Sequence, residues 1–164
     1  MNEDHPLPQG RFTGPADFQR LVRQAFELAP MRGWPEMRLA DPDFLHWPLG
    51  EREVIDSLTR WMQFGGTLHM MAADFKGLAA YAPRFVPRRQ VFDHRFEART
   101  WPPTGLGEAA LLLWTPEWVL VGLDAASCTV VATADPARRA QLRQAWDSVW
   151  QAATVAFPAT VLGL

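Results

Sequence analysis

The sequence predicts a single α/β domain, built on one mixed β-sheet that is flanked by helices. The length of 164 residues is close to the usual size of one domain and is sufficient for a sizeable core. Helical and strand-like hydrophobic patterns alternate through the first half, which indicates crossover connections and parallel strands. Several strand-like runs and one closing helix follow, and the short connections between these runs indicate antiparallel pairing.

The first forty residues predict a lead-in, a helix and a strand. Residues 1–15 are rich in proline and glycine, lack a periodic pattern, and indicate a flexible lead-in. From Asp17 onward, apolar residues recur every three or four positions, which predicts an amphipathic helix that ends between Pro30 and Gly33. Alternating apolar and charged residues at 36–41 then predict a short strand.

The middle of the chain predicts two further helix–strand units. After a loop at 41–50, apolar residues on one face predict a second helix, which two consecutive glycines terminate. A mostly apolar run at 67–74 predicts a buried strand. Prolines interrupt the next stretch, so two short helices at about 75–81 and 84–92 are expected before a strand at 95–99.

The last third predicts antiparallel strands and a closing helix. Two apolar runs at 109–114 and 118–123 flank a short turn and predict a β-hairpin. A further strand is expected at 127–133, followed by a helix that Asp135 caps at its N-terminus. The tail, 154–164, is almost wholly apolar, so it either covers its own domain or packs on a partner.

Composition and charge narrow the classes of function. The formal net charge is −2 and the basic residues are scattered, which gives no electrostatic case for nucleic acid or an anionic membrane. No apolar run is long enough to span a bilayer, and the acidic, proline-rich start is unlike a secretory signal. Cys128 is the only cysteine, which favours a reducing cytoplasm. We expect a cytoplasmic domain, at 16–153, that binds neither nucleic acid nor membranes.

Three stretches resemble the phospholipase D family over roughly residues 17–150. The helix, glycine turn and strand of the family are similar to EVIDSLTRWMQFGGTLHMMAAD, and its catalytic strand pair is similar to ALLLWTPEWVLVG. Its closing strand, Asp-Pro cap and helix are similar to CTVVATADPARRAQLRQAWDSVW. The stretch DPDFLHWPL further resembles a small bacterial branch. The resemblance implies a phospholipase D-like sandwich.

The resemblance also implies where catalytic residues would stand. In active members of the family, a His-x-Lys-x4-Asp motif supplies a nucleophilic histidine and a phosphate-binding lysine. These positions fall on Glu108, Ala110 and Thr115, and none of them matches. Lys76 is the only lysine and Asp74 stands two residues before it, so no His-x-Lys pair occurs in the sequence. The resemblance therefore supports the fold and argues against phosphodiesterase chemistry, and we predict no catalytic residues.

One candidate ligand site is the loop that follows the strand at 36–41. The loop carries Asp41, Asp43, His46 and Trp47, and open α/β sheets bind ligands beyond the carboxyl ends of their strands. The alternative is turn chemistry, in which the two aspartate side chains accept hydrogen bonds from the backbone of the loop itself.

A second candidate site is predicted around His94. This residue is expected to begin a strand that also carries Arg95 and Arg99, a combination suited to phosphate or carboxylate binding. The alternative is a surface ion pair of little energetic effect. His69 lies in an apolar strand and is expected to be a hydrogen-bonded core histidine. No histidine or cysteine spacing fits a metal site, so we expect neither metal nor cofactor.

These observations favour a catalytically inactive binding or scaffold module, that is, a pseudoenzyme. The alternative is an enzyme that acts on a phosphate- or sugar-bearing substrate through residues around Asp41, Asp43 and His94. The two functions differ in one observable feature: a ligand or ordered anion in a deep pocket beside His94 and Arg99 would favour the enzyme, and its absence would favour the scaffold.

The sequence further predicts a homodimer, and it leaves room for an unidentified protein partner. Trp114 and Trp118 are expected on one face of the hairpin and, with Trp101, would form the edge that meets a second copy. The apolar tail is a second candidate surface. The alternative is a monomer whose tail folds back over its own sheet.

Overall fold

A computed structural model describes residues 5–82, 85, 93–102, 105, 107, 110–124 and 126–156. Within these residues, eight strands form one mixed sheet that carries helices on its faces, so the predicted α/β class is confirmed. Most of the predicted helix at 84–92 lies outside the described residues, as do Glu108 and residues 157–164. Every helix in the described part is too short or too polar to cross a membrane.

The helices and strands follow the predicted order, with one added strand at each end of the chain. The helices are α1 (Pro15–Arg32), α2 (Arg52–Gln63), α3 (Lys76–Tyr81) and α4 (Pro136–Trp150). The strands are β1 (Gly10–Phe12), β2 (Glu36–Ala40), β3 (Thr67–Ala72), β4 (Phe96–Thr100), β5 (Leu112–Trp114), β6 (Val119–Asp124), β7 (Thr129–Thr133) and β8 (Thr154–Ala156). A 3₁₀ turn, Asp93–Arg95, precedes β4.

Local signals set the ends of the two longest helices. Pro15 opens α1 with the φ angle that a first helical turn requires, and Gly33 closes it with a left-handed φ of 62°. At α4, the side chain of Asp135 accepts a hydrogen bond from the backbone N–H of Ala137, and a proline again follows the cap. Both helix starts were therefore encoded locally, as the sequence predicts for Asp135.

The strand order of the sheet is β1-β7-β6-β5-β2-β3-β4-β8. The adjacent strands β2, β3 and β4 are parallel, as the alternating pattern predicts, and the other pairs are antiparallel. The carboxyl ends of these three strands therefore meet at one edge, here called the carboxyl edge. Strand β6 also ends there, whereas β5 and β7 begin there. The opposite edge is called the amino edge.

Two hydrophobic cores lie on the two faces of the sheet. The first core packs the sheet against α1 and α2, and it includes Phe18, Trp61 and Leu68. The smaller second core packs the sheet against α4, and it includes Leu112 and Trp146. Side chains of a strand alternate between the two faces, so both cores draw on the same strands. The domain is thus a three-layer sandwich of helices, sheet and helix.

The N-terminal segment contains a strand where the sequence predicts only a lead-in. Strand β1 pairs antiparallel with β7, and Leu7 is buried beside it with 4% of its surface exposed. The carbonyl of Pro8 accepts a hydrogen bond from Trp118 Nε1 at 2.9 Å. These contacts come from residues more than a hundred positions away, so a local hydrophobic period does not reveal them.

The first residues of the apolar tail pack on their own domain. Thr154 and Ala156 pair with Thr100 and Ala98 at the outer side of β4, which forms β8. Residues 154–156 therefore extend the sheet of their own chain. Val155 nevertheless remains 64% exposed.

The predicted placement of Trp114 and Trp118 on one face is wrong. Trp114 lies in the second core and Trp118 lies in the first, with 4% and 0% of their surfaces exposed. The hydroxyl of Thr115 bonds to both backbone groups of Trp118, and this tight turn shifts the alternation by one residue. Because both indoles are buried inside one chain, they cannot form the predicted dimer edge with Trp101.

Candidate functional site

A pocket of about 170 Å³ opens at the carboxyl edge, beside the ends of β2 and β6. Its wall is mostly apolar and is formed by Pro42, Gly107, Ala110, Leu111, Gly122, Leu123 and Asp124. Open α/β sheets bind their ligands at this edge, so the pocket stands where the topology favours a site. The sequence predicts the neighbouring loop at 41–50 as a ligand site, but it does not predict the pocket itself.

A β-bulge in β6 shapes the wall of the pocket. Gly122 pairs with Val130 and Asp124 pairs with Thr129, so Leu123 is an extra residue without a partner across the ladder. Its side chain is 55% exposed at the rim of the pocket. A β-bulge interrupts the regular alternation of side chains along its strand. This bulge, at the C-terminal end of β6, brings both Leu123 and Asp124 to the pocket.

Glycine is required at position 122 by a close approach to Leu111. A Cβ atom on Gly122 would lie 2.7 Å from Leu111 Cβ, which is closer than real Cβ contacts. The backbone N–H of Gly122 also donates to the carbonyl of Leu111 at 2.9 Å. These two residues therefore hold the strand pair together at the floor of the pocket.

Asp124 is the only charged residue among the described residues that line the pocket. Its Oδ1 accepts from the backbone N–H of Ala126 at 3.2 Å, and its Oδ2 accepts from Ser127 Oγ at 2.8 Å. Ser127 Oγ in turn lies 2.6 Å from Thr129 Oγ1. Because a carboxylate only accepts, the Ser127 hydroxyl donates to Asp124 and receives from Thr129. This chain of hydroxyls holds the carboxylate in one orientation.

Two of the three positions that the resemblance gives to the catalytic motif lie in the described residues. Ala110, the lysine position, lines the pocket and presents a methyl group. Thr115, the aspartate position, is fully buried at the amino edge, where its hydroxyl closes the hairpin turn. The described wall of the pocket therefore offers a carboxylate and apolar groups, with no nucleophilic or cationic side chain.

Asp41 follows β2 directly and is used by its own loop. The residue is 5% exposed, and its Oδ2 accepts from the backbone N–H groups of both Asp43 (3.1 Å) and Phe44 (2.7 Å). Burial raises the pKa of the Asp41 carboxyl, and these two hydrogen bonds oppose the rise. Phe44 has a φ of 60°, so the aspartate holds a turn that its backbone disfavours. This is the turn chemistry that the sequence offers as the alternative to a ligand site.

The other predicted residues of this loop point to different surroundings. Asp43 Oδ1 accepts from the backbone N–H of Leu45 at 3.1 Å, which forms a second local turn. His46 is exposed, whereas Trp47 is fully buried in the first core against Phe18. The loop therefore contributes to the pocket through Pro42 and not through the predicted side chains.

The residues predicted around His94 do not form one cluster. His94 and Arg95 belong to the 3₁₀ turn at the amino edge, where Arg95 Nη1 donates to the carbonyl of Gly65 at 2.9 Å. Arg99 lies near the other end of β4 and bonds to Glu97 and to the carbonyl of Trp150. Asp41 stands at the carboxyl edge, so the alternative enzyme site, which joins it to His94, would need to span the sheet.

A row of polar side chains beneath α4 was not anticipated as a group. Arg38, His69 and Glu97 are cross-strand neighbours on β2, β3 and β4. Arg38 is 6% exposed and pairs with Asp147 of α4. Burial, and next the nearby Arg38 guanidinium, lower the pKa of His69, whose ring packs on Trp150. The sequence signal for this row is the alternation at 36–41, in which the charged residues lie on the face of the sheet that α4 covers.

Side chains that could ligate a metal are dispersed in the described part of the chain. No group of three histidine, cysteine, aspartate or glutamate side chains in that part of the chain is arranged to hold a metal ion. Cys128 is buried, with a left-handed φ of 53°. Burial raises the pKa of its thiol, and the carboxylates of Asp41 and Asp124 raise it further. A thiol with a raised pKa is a weak nucleophile at neutral pH.

Comparison with known proteins gives likenesses of fold alone. No protein-family model matches the chain, and no curated protein matches its sequence. One solved structure, of TrmBL2, an archaeal chromatin protein with a novel mode of DNA binding, is 17% identical, covers 95% of this chain and has a TM-score of 0.65. The present chain spans 57% of the length of that protein. NUC from Salmonella typhimurium, a phospholipase D family member, is 13% identical, with coverage of 91% of this chain and 99% of NUC and a TM-score of 0.59.

The likeness to TrmBL2 corrects one expectation from the sequence. A net charge of −2 with scattered basic residues predicts no binding to nucleic acid. That exclusion is wrong, because TrmBL2, a chromatin protein with a novel mode of DNA binding, has this fold over 95% of the present chain. The net charge of a domain describes only its average electrostatic field, and it does not exclude a locally basic surface. The likeness to NUC, together with the mixed sheet and its flanking helices, confirms the predicted fold: the chain is a phospholipase D-like α/β sandwich.

Proposed function

We propose that this chain is a binding domain of the phospholipase D-like fold without phosphodiesterase activity, and that the pocket at the carboxyl edge is its ligand site. One observation carries the proposal. Ala110, which stands at the position of the motif lysine, lines the pocket as a methyl group, and the described residues of the wall include no cation. A pocket with this lining binds apolar groups and does not stabilise the charge of a phosphoryl transition state.

The chemistry of phosphodiester cleavage supports the same conclusion. The family mechanism needs a nucleophile that attacks phosphorus and a cation that stabilises the charge of the phosphate. The sequence has a glutamate, Glu108, at the histidine position, and its only lysine, Lys76, begins α3 and does not line the pocket. A carboxylate at the pocket, Asp124, repels an approaching phosphate.

The absence of hydrolysis is tested with a generic phosphodiester. Purified chain incubated with bis(4-nitrophenyl) phosphate, with and without a chelator, is expected to release nitrophenol at the rate of buffer alone. A faster rate that disappears in Glu108→Gln would overturn the proposal, because it would assign chemistry to a motif position.

Ligand binding is tested by filling the pocket. Ala110→Leu adds three carbon atoms to a partly exposed position in the wall, at the margin of the second core, so it should occupy the pocket. A library of small molecules is screened by thermal unfolding against the wild type and this variant. We expect compounds that raise the melting temperature of the wild type alone. Equal shifts in both proteins for every active compound would contradict a ligand site at the pocket.

DNA binding is a second candidate function, and the likeness to TrmBL2 favours it. Fluorescence anisotropy with a labelled 30-base-pair duplex tests it, with matched titrations at low and moderate salt. If the domain contacts the phosphate backbone, its affinity should fall steeply as salt rises. No change in anisotropy at high micromolar protein would remove this candidate and leave the pocket proposal unaffected.

The cytoplasm is the compartment we propose for this domain. Cys128 is the only cysteine and is buried, so the fold does not use a disulfide. Fractionation of the native host, followed by detection of the chain, tests this assignment; recovery in an oxidising compartment would contradict it.

A further inference from the structure

We propose that the pocket takes a small organic cation, an ammonium group on a short apolar body, instead of the phosphate that its place in the fold suggests. The proposal rests on the proposed function, which makes this pocket the ligand site. It adds the sign of the ligand's charge and the size of its apolar part.

The fixed carboxylate of Asp124 is the group that would recognise the cation. Asp124 is exposed at the pocket, and its two hydrogen bonds, from Ala126 N and Ser127 Oγ, use one lone pair on each oxygen. Each carboxylate oxygen has a second lone pair, so both oxygens remain able to accept from an ammonium group. The hydroxyls of Ser127 and Thr129 hold the carboxylate in place, which reduces the entropy that a ligand must overcome on binding.

The surroundings of the pocket add further negative charge. Asp41 precedes the lining residue Pro42, and the carboxylates of Asp41 and Asp124 both lie close enough to raise the pKa of the Cys128 thiol. Among the lining residues that the structure describes, none is basic. The local field therefore favours cations and opposes phosphate.

The size and lining of the pocket limit the apolar part of the ligand. The apolar side chains of Ala110, Leu111 and Leu123 line a volume of about 170 Å³. Pockets for drug-sized ligands are larger, at roughly 300–1,000 Å³. A short chain of a few carbon atoms therefore suits this pocket, and such a small ligand binds weakly, at millimolar concentration.

Four probes of matched size separate the contributions of charge and shape. The full 164-residue chain, labelled with ¹⁵N, is titrated at constant ionic strength with n-butylammonium chloride, 1-butanol, sodium butyrate and inorganic phosphate. We expect n-butylammonium to shift the amide signals of residues 110–111 and 122–124, and to bind at least threefold more tightly than 1-butanol. Butyrate and phosphate should leave these signals unchanged.

Two substitutions of the same chemical kind test the role of Asp124. Asp124→Asn keeps an oxygen acceptor but removes the charge, and it should weaken n-butylammonium binding by about three- to tenfold. Asp56→Asn removes an equally exposed charge from α2, away from the pocket lining, and should leave binding unchanged. The amide spectrum of each variant also reports whether the fold is intact.

The outcomes distinguish this proposal from the one on which it rests. Equal affinity for 1-butanol and n-butylammonium, or equal weakening in both Asp→Asn variants, would overturn the cation assignment and leave the pocket as an apolar site. Tighter binding of butyrate or phosphate would overturn it as well. If none of the four probes shifts the pocket amides, both the cation assignment and the ligand site lose their support.

Discussion

Trp114 and Trp118 stand four residues apart in one hairpin, and each indole anchors a different layer of the domain. Nε1 of Trp114 donates to the carbonyl of Arg139 in α4 at 2.9 Å. Nε1 of Trp118 donates to the carbonyl of Pro8 in the N-terminal segment, also at 2.9 Å. The hairpin thus holds α4 against one face of the sheet and the N-terminal segment against the other.

Replacing Trp118 should release the N-terminal segment while the rest of the sheet stays folded. Trp118→Phe removes the indole N–H and leaves the carbonyl of Pro8 without its partner, which costs about 0.5–1.5 kcal/mol of local stability. Amide hydrogen exchange, followed by mass spectrometry, should become faster in residues 5–12.

The neighbouring tryptophan supplies the matched control for this variant. Trp114→Phe removes the hydrogen bond to Arg139, so faster exchange is expected in the first turns of α4 and not in residues 5–12. Faster exchange of residues 5–12 in both variants would show that the two indoles do not act on separate layers.

Asp41→Asn should make the domain at least as stable at pH 7 as the wild type. Burial raises the pKa of Asp41 above 3.8, so the folded state favours the protonated carboxyl, and ionisation at neutral pH costs stability. Both backbone hydrogen bonds reach the same atom, Oδ2, so the single oxygen of asparagine can accept them. The advantage of Asp41→Asn should shrink as the pH falls through the raised pKa of Asp41, where the folded wild type takes up a proton.

The measurement is urea unfolding at pH 7 and pH 4.5, with Asp41→Ala as the companion variant. Alanine leaves the N–H groups of Asp43 and Phe44 without their acceptor, so a loss of about 1–3 kcal/mol is expected. An Asp41→Asn variant as unstable as Asp41→Ala would mean that the charge itself holds the turn.

The regular elements were predictable because their signals are local. The hydrophobic period of α1 and the Asp135 cap of α4 depend on residues close together in the sequence, and both helices agree with the prediction. Strand β1 has only three residues, and its partner β7 lies far along the chain, so no local period marks it. Which face of the sheet Trp114 and Trp118 each occupy depends on the geometry of one turn, and alternation of apolar and polar residues does not predict that geometry.

The site was predictable only as far as the edge of the sheet. The alternating pattern fixes which strand ends meet, and the loop after β2 does border the pocket through Pro42. The pocket itself arises from a bulge at Leu123 and from the approach of Leu111 to Gly122, which are tertiary features. The sequence predicts charged residues such as Asp41 as ligand-binding residues. The Asp41 carboxylate instead accepts hydrogen bonds within its own turn.

His69 should make the wild type lose stability as the pH falls below 6.5. Burial, and next the Arg38 charge, lower the pKa of His69, while Glu36 and Glu97 oppose this and Arg99 adds to it. The unfolded chain therefore takes up a proton near pH 6.5, while the folded chain takes it up only at lower pH. Stability is fully present above pH 6.5 and is lost as the pH falls toward the folded pKa.

His69→Gln should remove this part of the pH dependence. Unfolding in urea between pH 7.5 and pH 5 should give a flatter stability profile for His69→Gln than for the wild type. His46→Gln, which replaces an exposed histidine, serves as the control and should follow the wild-type profile. A His69→Gln profile parallel to that of the wild type would contradict the burial of a neutral ring.

Gly122→Ala should destabilise the domain, although the usual effect of this change is the opposite. Where the backbone tolerates a side chain, Gly→Ala stabilises a protein by about 0.4–1 kcal/mol through the unfolded state. At position 122 the new Cβ would lie 2.7 Å from Leu111 Cβ, so one strand must move, at a cost of about 1–3 kcal/mol. Gly50→Ala is the control, because its nearest neighbour would lie at an ordinary 3.5 Å. The clashing atom is absent in a Leu111→Gly background, so the cost of Gly122→Ala, measured by chemical unfolding, should fall there. An undiminished cost would mean that the strain does not come from Leu111.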